Sequence, residues 1–222
     1  MRRRHLLAVP GLFSAAAVQA AEPAVDVALV LAVDASGSIG EDEFRLQREG
    51  CAEAVTHPAV LAAIRGGPLG RVALAMVEWG APGAAATVVG WQAVGDAADA
   101  AALAARFRDA PRSAQSWNAI GDAIDHARAL LEACPFEATR QVIDVSGDGP
   151  DMRGYRRAPL ARDVAVAAGI TVNALAILRS RPGLVESYRA EVIGGPGAFV
   201  LSADGRADFS RALRAKLVRE IA

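Results

Sequence analysis

Asp34, Ser36 and Ser38 occupy alternate positions in Leu29-Val30-Leu31-Ala32-Val33-Asp34-Ala35-Ser36-Gly37-Ser38-Ile39-Gly40. One carboxylate and two hydroxyls on a single glycine-containing loop form a set of hard oxygen donors, the kind that Mg²⁺ or a similar divalent cation takes. The apolar run ahead of them reads as a buried strand that carries Asp34 to its carboxyl end. A second segment, Val142-Ile143-Asp144-Val145-Ser146-Gly147-Asp148-Gly149, repeats the plan with Asp148 between glycines. If these strand ends lie side by side, their oxygens converge on one cation.

Positioning them requires a sheet, and the rest of the chain supplies one. Apolar strand-like runs fall near 26–34, 71–79, 85–91, 140–146, 170–177 and 198–202. Several are continuously apolar, as in Val72 to Val77, which suits strands covered on both faces in a mostly parallel sheet. Helical spacing appears between them: Trp117, Ile120, Ile124, Ala127 and Leu131 trace one apolar face, and Phe209, Leu213, Leu217 and Ile221 another. Gly169 reads as a helix stop before the 170–177 strand, and Gly194-Gly195-Pro196-Gly197 as a tight turn before the last strand. The alternation predicts one doubly wound α/β domain, with helices flanking the sheet. Ala81-Pro82-Gly83 is read as a hairpin that sets one antiparallel strand at the edge. In such sheets ligands bind beyond the carboxyl ends of the strands, where Asp34 and Asp148 both fall.

The chain has 222 residues. Its start is read as a targeting segment over residues 1–20: Arg2, Arg3 and Arg4, an apolar centre from Leu6 to Val18, and a small-residue cleavage site at Val18-Gln19-Ala20. The domain is then 21–222, and the expected location is a bacterial periplasm or the outside of the cell. The apolar centre is too short to stay in a bilayer as a spanning helix, so no stable membrane insertion is expected. Without residues 1–20 the basic residues fall from 24 to 21 against 25 acidic ones. That mildly acidic balance gives no footing for nucleic acid. Cys51 and Cys134 could pair after export or stay as buried thiols, and the sequence leaves both open.

Several enzyme classes lack their signatures. The only lysine is Lys216, in the last helix, so neither a phosphate-cradling Gly-Lys-Ser/Thr loop nor an obvious Schiff-base lysine is present. No Gly-x-Gly-x-x-Gly follows the first strand, and no Gly-x-Ser-x-Gly elbow occurs. Cys51 lies in an apolar helical pattern with no base near it in sequence. His57 and His126 are read as solvated. Asp144, in mid-strand, is read as a structural buried carboxylate, and Trp79 and Trp91 as packing residues; Asp122 and Asp151 flank the site, and a supporting role for them is the less favoured of their readings. Ser38 also fits a helix capping box in Ser38-Ile39-Gly40-Glu41.

The Asp34-x-Ser36-x-Ser38 spacing resembles the metal-ion-dependent adhesion site of von Willebrand factor A domains. In that family a second loop, Thr-x-(Thr or Ile)-Gly-x-Ala-(Ile or Leu), and an aspartate on a third loop complete the site. Asn118-Ala119-Ile120-Gly121-Asp122-Ala123-Ile124 is similar to the second loop, with Asn118 in the place of threonine, and Asp148 matches the third. More narrowly, the chain looks like an uncharacterised bacterial family of exported single-domain von Willebrand A-like proteins. That likeness is carried by Val77-Glu78-Trp79, by the 142–149 segment, by Asn173-Ala174-Leu175-Ala176-Ile177 and by Val192-Ile193-Gly194-Gly195-Pro196-Gly197-Ala198-Phe199-Val200.

The resemblance implies an α/β fold and a metal site of Asp34, Ser36, Ser38, Asn118 and Asp148, holding Mg²⁺ or else Mn²⁺ or Ca²⁺. It implies a protein partner that supplies an acidic side chain to the metal, and no catalysis. Two alternatives stand beside this. One is a structural module with a decayed metal site, suggested by Asn118. The other is a metal-assisted hydrolase in which Asp34 and Asp148 hold the cation, although no general base is evident among the histidines.

Overall fold

A computed structural model describes residues 23–222 other than 38, 114, 180, 182, 206 and 207. The expected targeting segment at 1–20 and the expected ligand Ser38 lie outside the described residues. Six strands, β1 (Val25–Asp34), β2 (Val72–Trp79), β3 (Ala86–Val94), β4 (Ala138–Gly147), β5 (Thr171–Ile177) and β6 (Val200–Ala203), form one sheet in the order β3-β2-β1-β4-β5-β6. All neighbours are parallel except β2 and β3, which pair antiparallel at the edge. The expected fold class and edge strand are those observed.

Why both faces are covered follows from β1. Val27, Leu29, Leu31 and Val33 point into one core and Ala28, Val30 and Ala32 into the other, and every β1 residue is buried. The first core is closed by α1 (Glu41–Thr56), α2 (Pro58–Gly66), α3 (Ala97–Asp109) and α7 (Phe209–Ile221). The second is closed by α4 (Ile120–Glu132), α5 (Ala158–Ala167) and α6 (Leu184–Glu191). The chain crosses to β2 on one side of β1 and to β4 on the other, so connections diverge at the carboxyl ends of β1 and β4. That divergence opens a crevice.

The two cysteines are free: Cys51 belongs to the first core and Cys134 packs against the second, so the sheet lies between them. Burial pushes the Cys51 thiol up to about 12. Asp144 is fully buried, 2.8 Å from Lys216 Nζ; Lys216 also pairs with Glu220, which accepts a bond from Asn173 Nδ2 at 2.9 Å.

One local expectation is corrected. Trp117 is not part of the α4 face, because the helix begins at Ile120 and Trp117 stands ahead of it with φ of 60° and half its surface exposed. The start is fixed by Asp151, whose Oδ1 accepts from Ile120 N at 3.0 Å, a cap from another loop that local spacing does not reveal. The capping expectation at Ser38 falls outside the described residues. Helix α1 starts at Glu41 after Gly40, and a bond runs from Gly40 N to Glu43 Oε2 at 3.3 Å.

Candidate metal centre and its rim

Parallel pairing sets Val33 of β1 opposite Ser146 of β4, so Asp34 and Asp148 leave the sheet at one rim. The backbone N–H of Asp148 donates to Asp34 Oδ2 at 3.4 Å, and that of Ser36 donates to Asp34 Oδ1 at 2.8 Å. Asp34, Ser36, Asn118 and Asp148 are all buried. Three loops meet here: the one after β1, the one before α4, and the one after β4.

Backbone bonds hold the loops in register. Ala35 N donates to Trp79 O and Ala119 N to Gly80 O, both at 2.9 Å, which ties the first two loops to the end of β2. The Asn118 carbonyl accepts from Met152 N at 2.8 Å and Arg153 N at 3.2 Å, which joins the second loop to the third. Gly149 lies close under Asn118: a Cβ there would meet Asn118 Nδ2 at 2.3 Å, so the amide would have to turn aside. Tyr188 is fully buried behind the site and donates its hydroxyl to Gly149 O at 2.9 Å. Burial, then the nearby Asp34 and Asp148 charges, hold that phenol well above its ordinary value, so it remains a donor.

Asp122 and Asp151 build the loops rather than line the cavity. Asp122 accepts from Gly83 N at 2.8 Å and Arg156 N at 3.2 Å. Asp151 caps α4, accepts from Ala158 N of α5 at 3.0 Å, and pairs with Arg157 at 3.0 Å. Of the described histidines, His57 caps α2 by accepting from Ala59 N, and His126 shares a hydrogen bond with Thr87 Oγ1.

A cavity of about 290 Å³ opens over this meeting point, with Ser36, Trp117, Asn118, Asp148, Met152 and Arg181 among its lining. Of this lining, Trp117 and Met152 are exposed at 50% and 51%. Arg153 lies 4.6 Å from the Trp117 ring centre, a stacking that favours cation and ring alike. This apolar and cationic rim was not singled out from the sequence. A signal was present in the cluster Met152-Arg153-Gly154-Tyr155-Arg156-Arg157, right after the loop aspartate.

A second residue absent from the sequence reading is Arg179, just past β5. Its Nη1 donates to Asp148 Oδ2 at 3.0 Å and its Nη2 to Glu43 Oε1 at 2.5 Å. Trp117 and Arg179 are the only non-glycine residues with positive φ among the described residues, at 60° and 38°, and both flank the site.

A larger cavity, about 540 Å³, lies at the opposite rim between the starts of β4 and β5 and the end of α7. Its one carboxylate, Glu220, is already engaged by Lys216 and Asn173, so the oxygen-rich rim is the stronger candidate. Among the described residues no three His, Cys, Asp or Glu side chains gather as a metal cluster. The candidate set therefore rests on two carboxylates joined by hydroxyl and amide oxygens. That donor chemistry fits a hard divalent cation.

Solved structures share this architecture. Proximal thread matrix protein 1 (PTMP1) from the mussel byssus aligns over 89% of this chain and 46% of its own, at 17% identity and a TM-score of 0.63. The same protein with a zinc-occupied metal-ion-dependent adhesion motif gives 19% identity, 89% and 45% coverage and a TM-score of 0.59. The pilus adhesin SpaC from Lactobacillus rhamnosus GG gives 17%, 89% and 30%, and 0.61. The von Willebrand factor domain of the type V pili tip protein Mfa5 from Porphyromonas gingivalis gives 11%, 89% and 95%, and 0.62. The chain thus spans less than half of PTMP1 and SpaC but nearly the whole Mfa5 domain. No curated protein matches the sequence.

The fold is that of a von Willebrand factor A domain. Within that class, residues 24–222 match the family described as protein of unknown function (DUF1194), and the chain belongs to that family.

Proposed function

We propose that this chain is an exported recognition module that binds a divalent cation, Mg²⁺ or a close substitute, through Asp34, Ser36, Ser38, Asn118 and Asp148. The observation that carries the reading is the bond from Asp148 N to Asp34 Oδ2, which brings the two loop aspartates within one hydrogen bond of each other. When bound, such an ion supplies an open coordination position for a carboxylate from another molecule. The protein's own part is to hold the loops rigid and to offer a contact surface beyond the oxygens. Trp117 and Met152 give apolar area, and Arg153 and Arg181 attract the acidic residues of a partner protein. The zinc-occupied motif of PTMP1 and the adhesin name of SpaC are consistent with this reading of the fold.

Export through a cleaved segment at residues 1–20 belongs to the same proposal. N-terminal sequencing of protein recovered outside the cytoplasm is expected to begin at Ala21. A chain retaining Arg2 to Arg4 would sink that part.

Calorimetry with Mg²⁺ and Mn²⁺ tests the metal centre. Binding is expected in the native protein and its loss in Asp34→Asn, with the fold of the variant checked by circular dichroism. Absence of binding at millimolar metal would favour the second reading, a metal-free module, for which Asn118 in place of threonine is the supporting observation. If metal binds, partner capture should disappear with chelator and with Asp34→Asn, and capture indifferent to both would contradict the metal-bridged recognition role.

A further inference from the structure

The charge at the rim is already balanced in part by the chain itself. Arg179 follows β5, and its backbone is held at φ of 38°, a left-handed conformation that is unfavourable for a non-glycine residue. From there its guanidinium reaches two loops at once, bonding Asp148 Oδ2 at 3.0 Å and Glu43 Oε1 at 2.5 Å. Glu43 is itself bonded back to Gly40 N, next to the loop that carries Asp34 and Ser36. The Asp148 bond, outweighing desolvation and joined by the charges of Glu43 and Asp34, raises the guanidinium's affinity for its proton. An arginine charge does not titrate away at any ordinary pH, so this compensation is permanent.

We infer that Arg179 is a tethered internal cation that competes with the divalent ion for Asp148, setting the affinity of the site below what its oxygens alone would give. This rests on the metal-binding reading above and adds a regulator to it. Three features support the competition. The contact uses a carboxylate oxygen of a proposed ligand, not a bystander. The Arg179 side chain is 38% exposed, so a displaced guanidinium can enter water with little desolvation cost. The left-handed backbone is relieved if the loop relaxes when the guanidinium lets go. Occupancy of the centre would therefore require both metal and release of Arg179, and an acidic partner could draw the freed guanidinium to itself.

The test is Mg²⁺ and Mn²⁺ titration of the full chain and of Arg179→Gln by calorimetry, with melting temperatures recorded with and without metal. The variant is expected to bind at least about tenfold more tightly, since one unit charge within hydrogen-bond distance changes such equilibria by about an order of magnitude or more. It should also show a larger metal-induced rise in melting temperature. Binding in the variant alone supports the inference in its strongest form. Equal or weaker binding in the variant leaves the metal site standing and overturns the role of Arg179. If neither protein binds, the metal reading fails and the inference with it. Because loss of Arg179 leaves Asp148 short of one partner, Arg179→Lys serves as a second variant. It keeps the charge with a shorter, single-point reach and should fall between the other two. An Arg179→Lys affinity outside that interval would count against the competition.

Discussion

Gly147 ends β4 at a point where the ring of Trp79 and the hydroxyl of Tyr188 press on the backbone, leaving a Cβ only 2.6 Å from the Tyr188 oxygen and 2.9 Å from the indole. Gly147→Ala must push one of these fully buried side chains aside, which costs about 3 kcal/mol and displaces the Asp148 loop. Urea unfolding measures the cost, and a loss under 0.5 kcal/mol, about the size of a neutral surface change, would mean the neighbours yield freely. Asn118 offers a test of a different kind. A threonine places a compact hydroxyl where the amide now stands against Gly149, and Asn118→Thr should tighten Mg²⁺ binding by roughly tenfold, about 1.4 kcal/mol. Unchanged affinity in the titration would show that Asn118 is not a ligand. At this scale the sequence disclosed candidate donors by type and spacing, since Asp34, Ser36 and Asp148 stand in local motifs, and the structure brings Asp34 and Asp148 to one rim. Trp117 and Arg179 stayed hidden for a physical reason. Their roles depend on backbone twist and on contacts with residues 36 and 31 positions away, respectively.

Elements were legible wherever a covered surface imposed a period. The inner strands β1, β2, β4 and β5 could be read because burial on both faces demands unbroken apolar runs, whereas the edge strands β3 and β6 are largely half-buried; α7 could be read from Phe209, Leu213, Leu217 and Ile221. Helix starts were less legible where capping is delegated to a side chain from another loop. Asp151 shows this best: one buried carboxylate serves Ile120 N at the head of α4 and Ala158 N at the head of α5, and takes the Arg157 charge as well. Asp151→Ala leaves both helix starts without their acceptor, and each cap is worth about 1 kcal/mol before the penalty for buried unpaired donors. A loss of about 3 kcal/mol is expected by chemical denaturation, with faster hydrogen exchange at residues 120, 121 and 158. Protection unchanged at those amides would refute the shared cap.

Taken whole, the molecule carries its strongest internal charge far from the rim, where Lys216 faces Asp144 and Glu220 with every side chain buried. Two carboxylates share one ammonium, and burial first, then the Asp144 charge, raises Glu220 from 4.5 to about 7. The folded chain therefore holds a proton there that the unfolded chain has already lost. Its stabilising effect is complete below about pH 4.5, declines as pH rises and is gone above about pH 7. Replacing the acid by a neutral amide, Glu220→Gln, should flatten that decline, with a gain over the native protein on the order of 3 kcal/mol at pH 8 that vanishes near pH 4. Parallel stability curves for the two proteins would dismiss the effect. The three tryptophans, finally, occupy three different surroundings: Trp79 sealed in the core, Trp91 bonded to the Leu130 carbonyl, Trp117 half in water beneath Arg153. Their emission is accordingly separable by wavelength. Whatever settles over the cavity will dry the Trp117 indole and move its fluorescence to the blue, so the protein carries its own optical probe of docking, silenced by Trp117→Phe.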